Sequence, residues 1–152
     1  KAFGCRVVYF SASGHTYDTE FKRVSFDELL ENSDIISIHA PLNDKTNNLF
    51  DDAAFAKMKK NAVLLNLGRG PIVNNAALTK ALKENIIAGA GLDVIDKEPI
   101  AADNPLLEIQ DSSKLIITPH IAWATVEARN RLFDLVVDNI QGFLKGDLKN
   151  VC

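Results

Sequence analysis

Short apolar runs alternate with amphipathic segments along the chain, and this alternation restricts the possible folds more than any other sequence feature. The apolar runs are rich in β-branched residues and have the length of buried strands. The segments between them carry capping residues and apolar residues at helical spacing. Strands that alternate with helices build a parallel sheet with right-handed crossovers. We therefore predict an α/β fold with a doubly wound parallel sheet.

The predicted elements can be placed from their capping residues and apolar runs. Helices are expected to begin at Ser25, at Asp51, at Asn74 or Asn75, and at Thr125. Strands are predicted at residues 6–10, 34–39, 62–67, 86–94 and 115–118. Residues 1–4 are typical of the last turn of a helix closed by a glycine, so we expect the chain to open inside an element.

Composition restricts the class of protein and its partners. The 152 residues are 47% hydrophobic, which suits one domain with a real core, and the net charge is −3 with no basic run. Nucleic acid and membrane surfaces are therefore not expected as partners. Cys5 and Cys152 have no disulfide or metal-ligand spacing, so we expect free thiols, no metal and a cytoplasmic protein.

Several polar or glycine-containing segments come directly after predicted strands. They are the tripeptides 39–41 (His-Ala-Pro) and 68–70 (Gly-Arg-Gly), and the single residues Asp93 and His120. In a parallel α/β sheet, ligands bind at the carboxyl ends of the strands. The sequence therefore predicts that these segments converge on one ligand-binding crevice.

Three of the residues near these strand ends form a candidate catalytic set. The Arg69 guanidinium can grip a carboxylate through two parallel hydrogen bonds. The His120 imidazole can give a proton to a developing alkoxide, and Glu98 can orient that ring. Asp93 can accept a hydrogen bond from the carboxamide of a nicotinamide. These are the functional groups that the reduction of a 2-keto acid with a nicotinamide cofactor requires.

Each residue also has a structural interpretation when taken singly. Residues 68–70 can be only a turn, residues 98–99 an ordinary solvated loop, and His120 a hydrogen bonder at a strand end. Trp123 can wall a substrate pocket or pack on the last helix, and His39 can contact a cofactor or only cap its strand. The occurrence of all three signals in order, each after a strand, favours the catalytic interpretation.

The motifs together resemble a known family, the D-isomer-specific 2-hydroxyacid dehydrogenases, and most closely its glycerate dehydrogenase and hydroxypyruvate reductase members. The resemblance is carried by residues 66–73 (NLGRGPIV), residues 91–94 (GLDV) with Glu98-Pro99, and residues 119–124 (PHIAWA), and it covers about residues 6–150. It implies a Rossmann-like nucleotide-binding domain, with residues 1–150 as a partial dinucleotide-binding domain. The family's substrate domain, built from both ends of the parent chain, is not expected in these residues.

The resemblance also implies roles for individual residues. Arg69 would bind the substrate carboxylate, His120 would donate and accept the proton, and Glu98 would support His120. The positions that match cofactor contacts are Ser11, His39, Ala40, Pro41, Asn66, Leu67, Gly68 and Asp93. The implied reaction is hydride transfer between NAD(P)H and a small 2-keto acid such as hydroxypyruvate or glyoxylate, performed by a homodimeric full-length parent.

Two departures from the family pattern concern the cofactor. The sequence contains no Gly-x-Gly-x-x-Gly turn, which the family uses to hold the pyrophosphate. Ser11 stands where an acidic residue would bind the ribose 2′-hydroxyl of NAD, and no Arg follows it immediately to meet a 2′-phosphate. We favour NAD as the cofactor, and NADP stays open.

Two other functions stay open from the sequence. A non-catalytic module that senses NAD(H), like the corepressors related to this family, would keep the same fold. Alternatively, the 152 residues by themselves are inert, because the phosphate-binding turn is missing from the sequence.

Overall fold

A computed structural model describes residues 2–16 and 20–150 of the chain. The chain divides into two compact units, Lys1–Pro119 and His120–Cys152, which we call the sheet unit and the helical unit. The exposed Cys5 is a free thiol, as predicted. The predictions for Lys1 and Cys152 fall on residues outside the described ranges.

A four-stranded parallel sheet forms the centre of the sheet unit. Its strands are β3 (Ile35–Ile38), β4 (Val63–Asn66), β5 (Gly89–Leu92) and β6 (Leu115–Ile117), and they lie side by side in that order. Every pairing between neighbours is parallel. The predicted α/β architecture with a parallel sheet is therefore confirmed.

A second, two-stranded sheet precedes the central one. Strand β1 (Val8–Tyr9) pairs in parallel with β2 (Lys22–Arg23), and the register places Tyr9 opposite Arg23. The first strand was predicted from its apolar run, but β2 was not. Two exposed basic residues carry no apolar pattern, so only the backbone pairing with β1 identifies them as a strand.

Three helices of the sheet unit begin at the residues that the sequence indicates. They are α1 (Phe26–Asn32), α2 (Asp52–Lys57) and α3 (Asn75–Lys83). The side chains of their N-caps, Ser25, Asp51 and Asn74, each accept a hydrogen bond from the backbone N–H three residues later. These bonds satisfy amide donors that a helix leaves open at its start, which is why short polar residues fix the boundaries.

The hydrophobic core lies against one face of the central sheet. Alternate strand residues such as Ile36, Leu64 and Leu92 are buried in one cluster with apolar residues of α1, α2 and α3. The residues between them on the strands point the other way, and Ile35 and Ile116 are 63% and 61% exposed. The sheet unit therefore has one apolar face covered by its own helices and one face that is largely open.

The predicted strand at residues 86–94 is too long, because only Gly89–Leu92 form β5. Asn85 adopts the left-handed conformation with φ 55°, and the Ile86 N–H returns to the carbonyl of Ala81. Asn85 and Ile86 therefore belong to the turn that ends α3, and the strand begins only at Gly89. Two short 3-10 helices, Gly70–Ile72 and Pro105–Glu108, were not predicted, because they have a proline at the start and no helical periodicity.

The helical unit consists of the loop that begins at His120 and one long helix, α4 (Val126–Lys145). Thr125 caps its start and Gly146, with φ 75°, closes its end, both as predicted. Apolar side chains at helical spacing along α4 are exposed, among them Leu132, Val136 and Phe143. Among the helices of the described residues, none combines the length and the apolar character that a membrane span requires.

We expect Leu64→Ala to lower the free energy of unfolding by roughly 2–5 kcal/mol, because Leu64 is fully buried in the central strand. Ile116→Ala, on the open face of the neighbouring part of the sheet, is the control and should change it by less than about 1 kcal/mol. Urea unfolding followed by circular dichroism measures both. Equal losses would contradict the one-sided core.

Candidate active site

The carboxyl ends of the four parallel strands form the edge that carries most of the predicted site residues. His39 follows β3, Leu67 follows β4, Asp93 follows β5 and Thr118 follows β6. Backbone bonds tie these ends together, since the N–H of Leu67 donates to Ile38, that of Asp93 to Asn66 and that of Thr118 to Leu92. The structure therefore places these four strand ends side by side.

Asn66 shapes the turn that carries Arg69. Its side chain is fully buried at the last position of β4. Its Oδ1 accepts from the backbone N–H of Gly68 at 3.1 Å, and its Nδ2 donates to the carbonyl of Arg69 at 3.0 Å. An amide is suited to this position because it supplies an acceptor and a donor at once. The turn at residues 67–69 is thus fixed from beneath by a core side chain.

Gly70 brings this turn against the loop that carries Glu98. A Cβ atom at Gly70 would overlap with the backbone of Ile95 and Asp96, so only glycine allows the two segments to approach so closely. The N–H of Ile95 donates in turn to Oε1 of Glu98 at 3.2 Å. One backbone contact therefore joins the Arg69 turn to the Glu98 loop, which the sequence motifs did not predict.

Arg69 extends from this turn as an exposed side chain. Its Nη1 donates to the neighbouring carbonyl of Gly68 at 2.9 Å. This bond holds part of the guanidinium fork close to the turn, and the exposed location leaves it accessible from solvent. The side chain can therefore meet a carboxylate ligand at the sheet edge.

Asp93 is buried at the end of β5 and its carboxylate contacts the end of β6. The hydroxyl of Thr118 donates to Oδ1 of Asp93 at 2.5 Å. Thr118 therefore holds β5 both by its backbone N–H and by its side chain. Thr118 was not predicted as a site residue, although its place directly before Pro119-His120 is a signal for it.

The predicted cofactor segment at residues 39–41 leaves β3 as a polar loop. His39 is exposed, and its Nε2 lies 2.8 Å from the hydroxyl of Ser37. The carbonyl of Pro41 accepts from the hydroxyl of Thr46, a fully buried residue that the sequence analysis did not single out. The carbonyl of Ala40 lies 3.0 Å from where a Cβ of Gly68 would stand, so the β3 and β4 loops pack closely.

The two remaining predicted residues lie elsewhere. Ser11 follows β1 in the two-stranded sheet, and its side chain is buried. His120 begins the helical unit in a left-handed conformation with φ 54°. Its backbone carbonyl accepts from the indole N–H of Trp123 at 2.9 Å, which holds the loop in this shape. Trp123 is half-exposed, and this hydrogen bond was not predicted.

Two groups away from the strand ends have pKa values that structural contacts shift. A hydrogen bond to Asp52, together with the charge of that carboxylate, raises the pKa of Lys80 and links α2 to α3. The hydroxyl and backbone N–H of Ser113 donate to Asp111 and lower the pKa of its carboxyl. Among the described residues, no cluster of His, Cys, Asp and Glu could hold a metal ion.

Comparison with known proteins identifies the family. Residues 1–122 match the model of the D-isomer specific 2-hydroxyacid dehydrogenase, NAD binding domain. The chain belongs to this family. A hydroxypyruvate reductase from Blautia hydrogenotrophica is 42% identical over 153 residues, which include 99% of this chain and 47% of the reductase. The family resemblance predicted from the sequence motifs is thus confirmed.

Solved structures show the same architecture. The TT0316 protein from Thermus thermophilus has a TM-score of 0.87 and 36% identity, and the match covers 98% of this chain and 46% of that protein. An NADPH-dependent glyoxylate/hydroxypyruvate reductase from Sinorhizobium meliloti, solved with NADP and malonate, has a TM-score of 0.83, 32% identity and coverage of 94% and 44%. The chain therefore spans about half the length of these relatives.

We predict that Gly70→Ala lowers the free energy of unfolding by about 3 kcal/mol or more, because the new methyl group would overlap with backbone atoms of Ile95. Gly91→Ala is the control. Its Cβ would meet only the flexible end of Leu65 at 3.0 Å, so a change within about 1 kcal/mol is expected. Chemical unfolding compares the two, and a tolerated Gly70→Ala would contradict the close approach of the turn and the loop.

Proposed function

We propose that the complete enzyme containing this chain reduces a small 2-keto acid, of the glyoxylate or hydroxypyruvate type, to the D-2-hydroxy acid with NAD(P)H. The contact of Gly70 with Ile95 carries the proposal, because it joins the Arg69 turn to the Glu98 loop at the ligand-binding edge of the sheet. The names of the relatives from Blautia and Sinorhizobium support the same substrate class.

In this proposal, Arg69 binds the carboxylate of the keto acid. A guanidinium offers two parallel N–H donors, and its fixed charge does not depend on pH in the physiological range. The Asn66 clamp holds the turn from which Arg69 extends, so the position of the cation is set before substrate arrives. Binding the carboxylate in this way would orient the keto group for reduction.

His120 supplies and removes the proton in the same proposal, and Glu98 supports it. During reduction the imidazolium gives a proton to the oxygen of the developing alkoxide, and during oxidation the imidazole takes it back. The assignment of both residues rests on their motifs, Pro119-His120-Ile121 and Glu98-Pro99, within a confirmed family member. The hydrogen bond from Ile95 to Glu98 fixes the loop that carries this carboxylate.

The residues at the strand ends fit the nicotinamide and ribose parts of the cofactor. Asp93 would accept from the carboxamide, and Thr118 already orients its carboxylate. We assign further contacts to Asn66 at the end of β4 and to the loops after β1, β3 and β4, which contribute Ser11, His39, Ala40, Pro41, Leu67 and Gly68. When bound, the reduced nicotinamide supplies the hydride for the reaction. The pyrophosphate requires donors that these residues do not include, since the sequence has no Gly-x-Gly-x-x-Gly turn.

The proposal extends to the organisation of the enzyme. Residues 1–150 form a partial dinucleotide-binding domain, and a substrate domain completes the enzyme elsewhere in the parent chain. We further propose a homodimer in the cytoplasm, where a free thiol such as Cys5 stays reduced. No observation specifically favours a corepressor-type binding module.

Residue roles can be tested in a chimaera in which these 152 residues replace the matching stretch of the Blautia hydroxypyruvate reductase. His120→Gln should lower kcat for hydroxypyruvate on the order of a thousandfold, because it removes the proton donor. Its affinity for NADH, measured by fluorescence titration, should stay within about threefold because the side chain acts on substrate. Normal turnover of this variant would refute the assignment of His120.

The role of Arg69 has a separate test in the same chimaera. Arg69→Lys should lower kcat/KM for hydroxypyruvate on the order of a hundredfold, since lysine keeps the charge but loses the bidentate geometry. Arg131→Lys, on the exposed surface of α4, is the matched control and should leave kcat/KM unchanged. An equal effect of both substitutions would argue against carboxylate binding by Arg69.

We expect no measurable dehydrogenase turnover from the 152 residues alone. The reason is physical: the backbone donors that hold a cofactor pyrophosphate at a helix N-terminus are not in the sequence. The assay follows NADH and NADPH absorbance with hydroxypyruvate and glyoxylate. Turnover above that of a heat-denatured sample would contradict this expectation.

A further inference from the structure

His120, which begins the helical unit, has a backbone conformation that residues other than glycine rarely adopt. Its φ is 54°, in the left-handed region. Three other described residues besides glycine have a positive φ, and all three are asparagines, whose short polar side chains tolerate it. A histidine stays in this region only where surrounding contacts hold it there, and such residues cluster at functional sites. The contacts that hold His120 therefore bear on its function.

Two of the hydrogen bonds in the loop that follows His120 close a turn. The indole N–H of Trp123 donates to the carbonyl of His120 at 2.9 Å, and the N–H of Ala124 donates to the carbonyl of Ile121 at 2.9 Å. The first bond fixes the direction of the His120 carbonyl. Because the carbonyl and the side chain leave the same Cα atom, a fixed carbonyl also limits where the imidazole can point.

Burial in the core does not explain the tryptophan at this position. Trp123 is 50% exposed, whereas the core residues Phe50 and Phe55 are 2% and 1% exposed. An aromatic residue that serves only packing contributes through its buried area. An indole also has an N–H group that donates and cannot accept, and here that group meets a carbonyl. The contact that distinguishes Trp123 from a packing residue is therefore its hydrogen bond to His120.

We infer that Trp123 is a positioning residue for His120: its indole N–H holds the His120 carbonyl and so keeps the imidazole in the orientation that proton transfer requires. This inference rests on the proposed function, in which His120 gives the proton to the developing alkoxide. A proton donor must lie within hydrogen-bond reach of the oxygen that it protonates. Small changes in its placement therefore slow the reaction without weakening substrate binding. A tryptophan that only walls the substrate pocket would instead act on binding.

The first test observes the hydrogen bond in the 152-residue chain. Trp123 is the only tryptophan of the sequence, so its indole N–H gives one assignable NMR signal. This proton should exchange with deuterium roughly fivefold or more slowly than that of N-acetyltryptophanamide, because the hydrogen bond must open first. Trp123→Phe should move the backbone chemical shifts of His120 away from values typical of a positive φ. Equally fast exchange, or unchanged His120 shifts, would overturn the inference.

Thr125→Val is the matched control for the same loop. The Thr125 hydroxyl accepts from the N–H of Ala128 at 3.2 Å, so this substitution also removes one hydrogen bond, but that bond caps α4. The His120 shifts should stay in place, and kcat of the chimaera should stay within about twofold. An effect of Thr125→Val on kcat equal to that of Trp123→Phe would overturn the assignment to the indole N–H.

Kinetics of the chimaera distinguish positioning from substrate binding. Trp123→Phe should lower kcat for hydroxypyruvate on the order of tenfold and leave its KM within about threefold. The solvent deuterium isotope effect on kcat should increase, because the proton transfer becomes slower. Replacement of Trp123 by benzothienylalanine, which keeps the size of the indole but has sulfur in place of the N–H, should give the same loss. A higher KM at unchanged kcat, or a normal kcat with this isostere, would overturn the inference.

The combined outcomes separate this inference from the proposed function. A chimaera in which His120→Gln loses turnover while Trp123→Phe keeps it would overturn the positioning role and leave the proposed reaction standing. A chimaera without turnover, whose indole N–H is protected and whose His120 shifts move in Trp123→Phe, would support the positioning and count against the reaction.

Discussion

One row of backbone pairings determines where the chemistry of this chain can lie. Ile38, Asn66, Leu92 and Ile117 occupy equivalent positions on four neighbouring parallel strands. Because the strands run in the same direction, all four release their following residues at one edge of the sheet. The predicted site segments after β3, β4 and β5 begin at this row. Parallel pairing thus assembles segments that are far apart in sequence.

Local contacts of Asn66, Gly70 and Thr118 then shape that edge of the sheet. The buried amide of Asn66 satisfies one donor and one acceptor of the turn above it, so the backbone of residues 67–69 is held by the core. Gly70 then lets the chain pass directly against Ile95, where a side chain would not fit. The hydroxyl of Thr118 fixes the neighbouring buried carboxylate of Asp93. The polar edge is therefore preorganised by residues that sit beneath the proposed ligand contacts.

Helix starts and the buried strands of the central sheet could be predicted because their causes are local. The capping side chains of Ser25, Asp51 and Asn74 bond to amides three residues away, and apolar runs mark the buried strands. Strand β2 could not be predicted, since Lys22 and Arg23 become a strand only by pairing with β1. The start of the strand predicted at residues 86–94 was wrong for a related reason. Asn85 forms a turn and the Ile86 N–H bonds back to α3, and apolar composition does not encode this backbone geometry.

The amino-acid sequence alone determined the α/β class, the family and the identity of the candidate site residues, because these depend on periodicity and on short motifs. Tertiary structure decided which of those residues meet. The contact of the Arg69 turn with the Glu98 loop depends on the absence of a side chain at Gly70. The hydrogen bond from Thr118 to Asp93 depends on the register of β5 and β6. The hydrogen bond from Arg23 to Thr16 likewise depends on pairing between strands separated in sequence. Such contacts are properties of packing, and no local pattern in the chain records them.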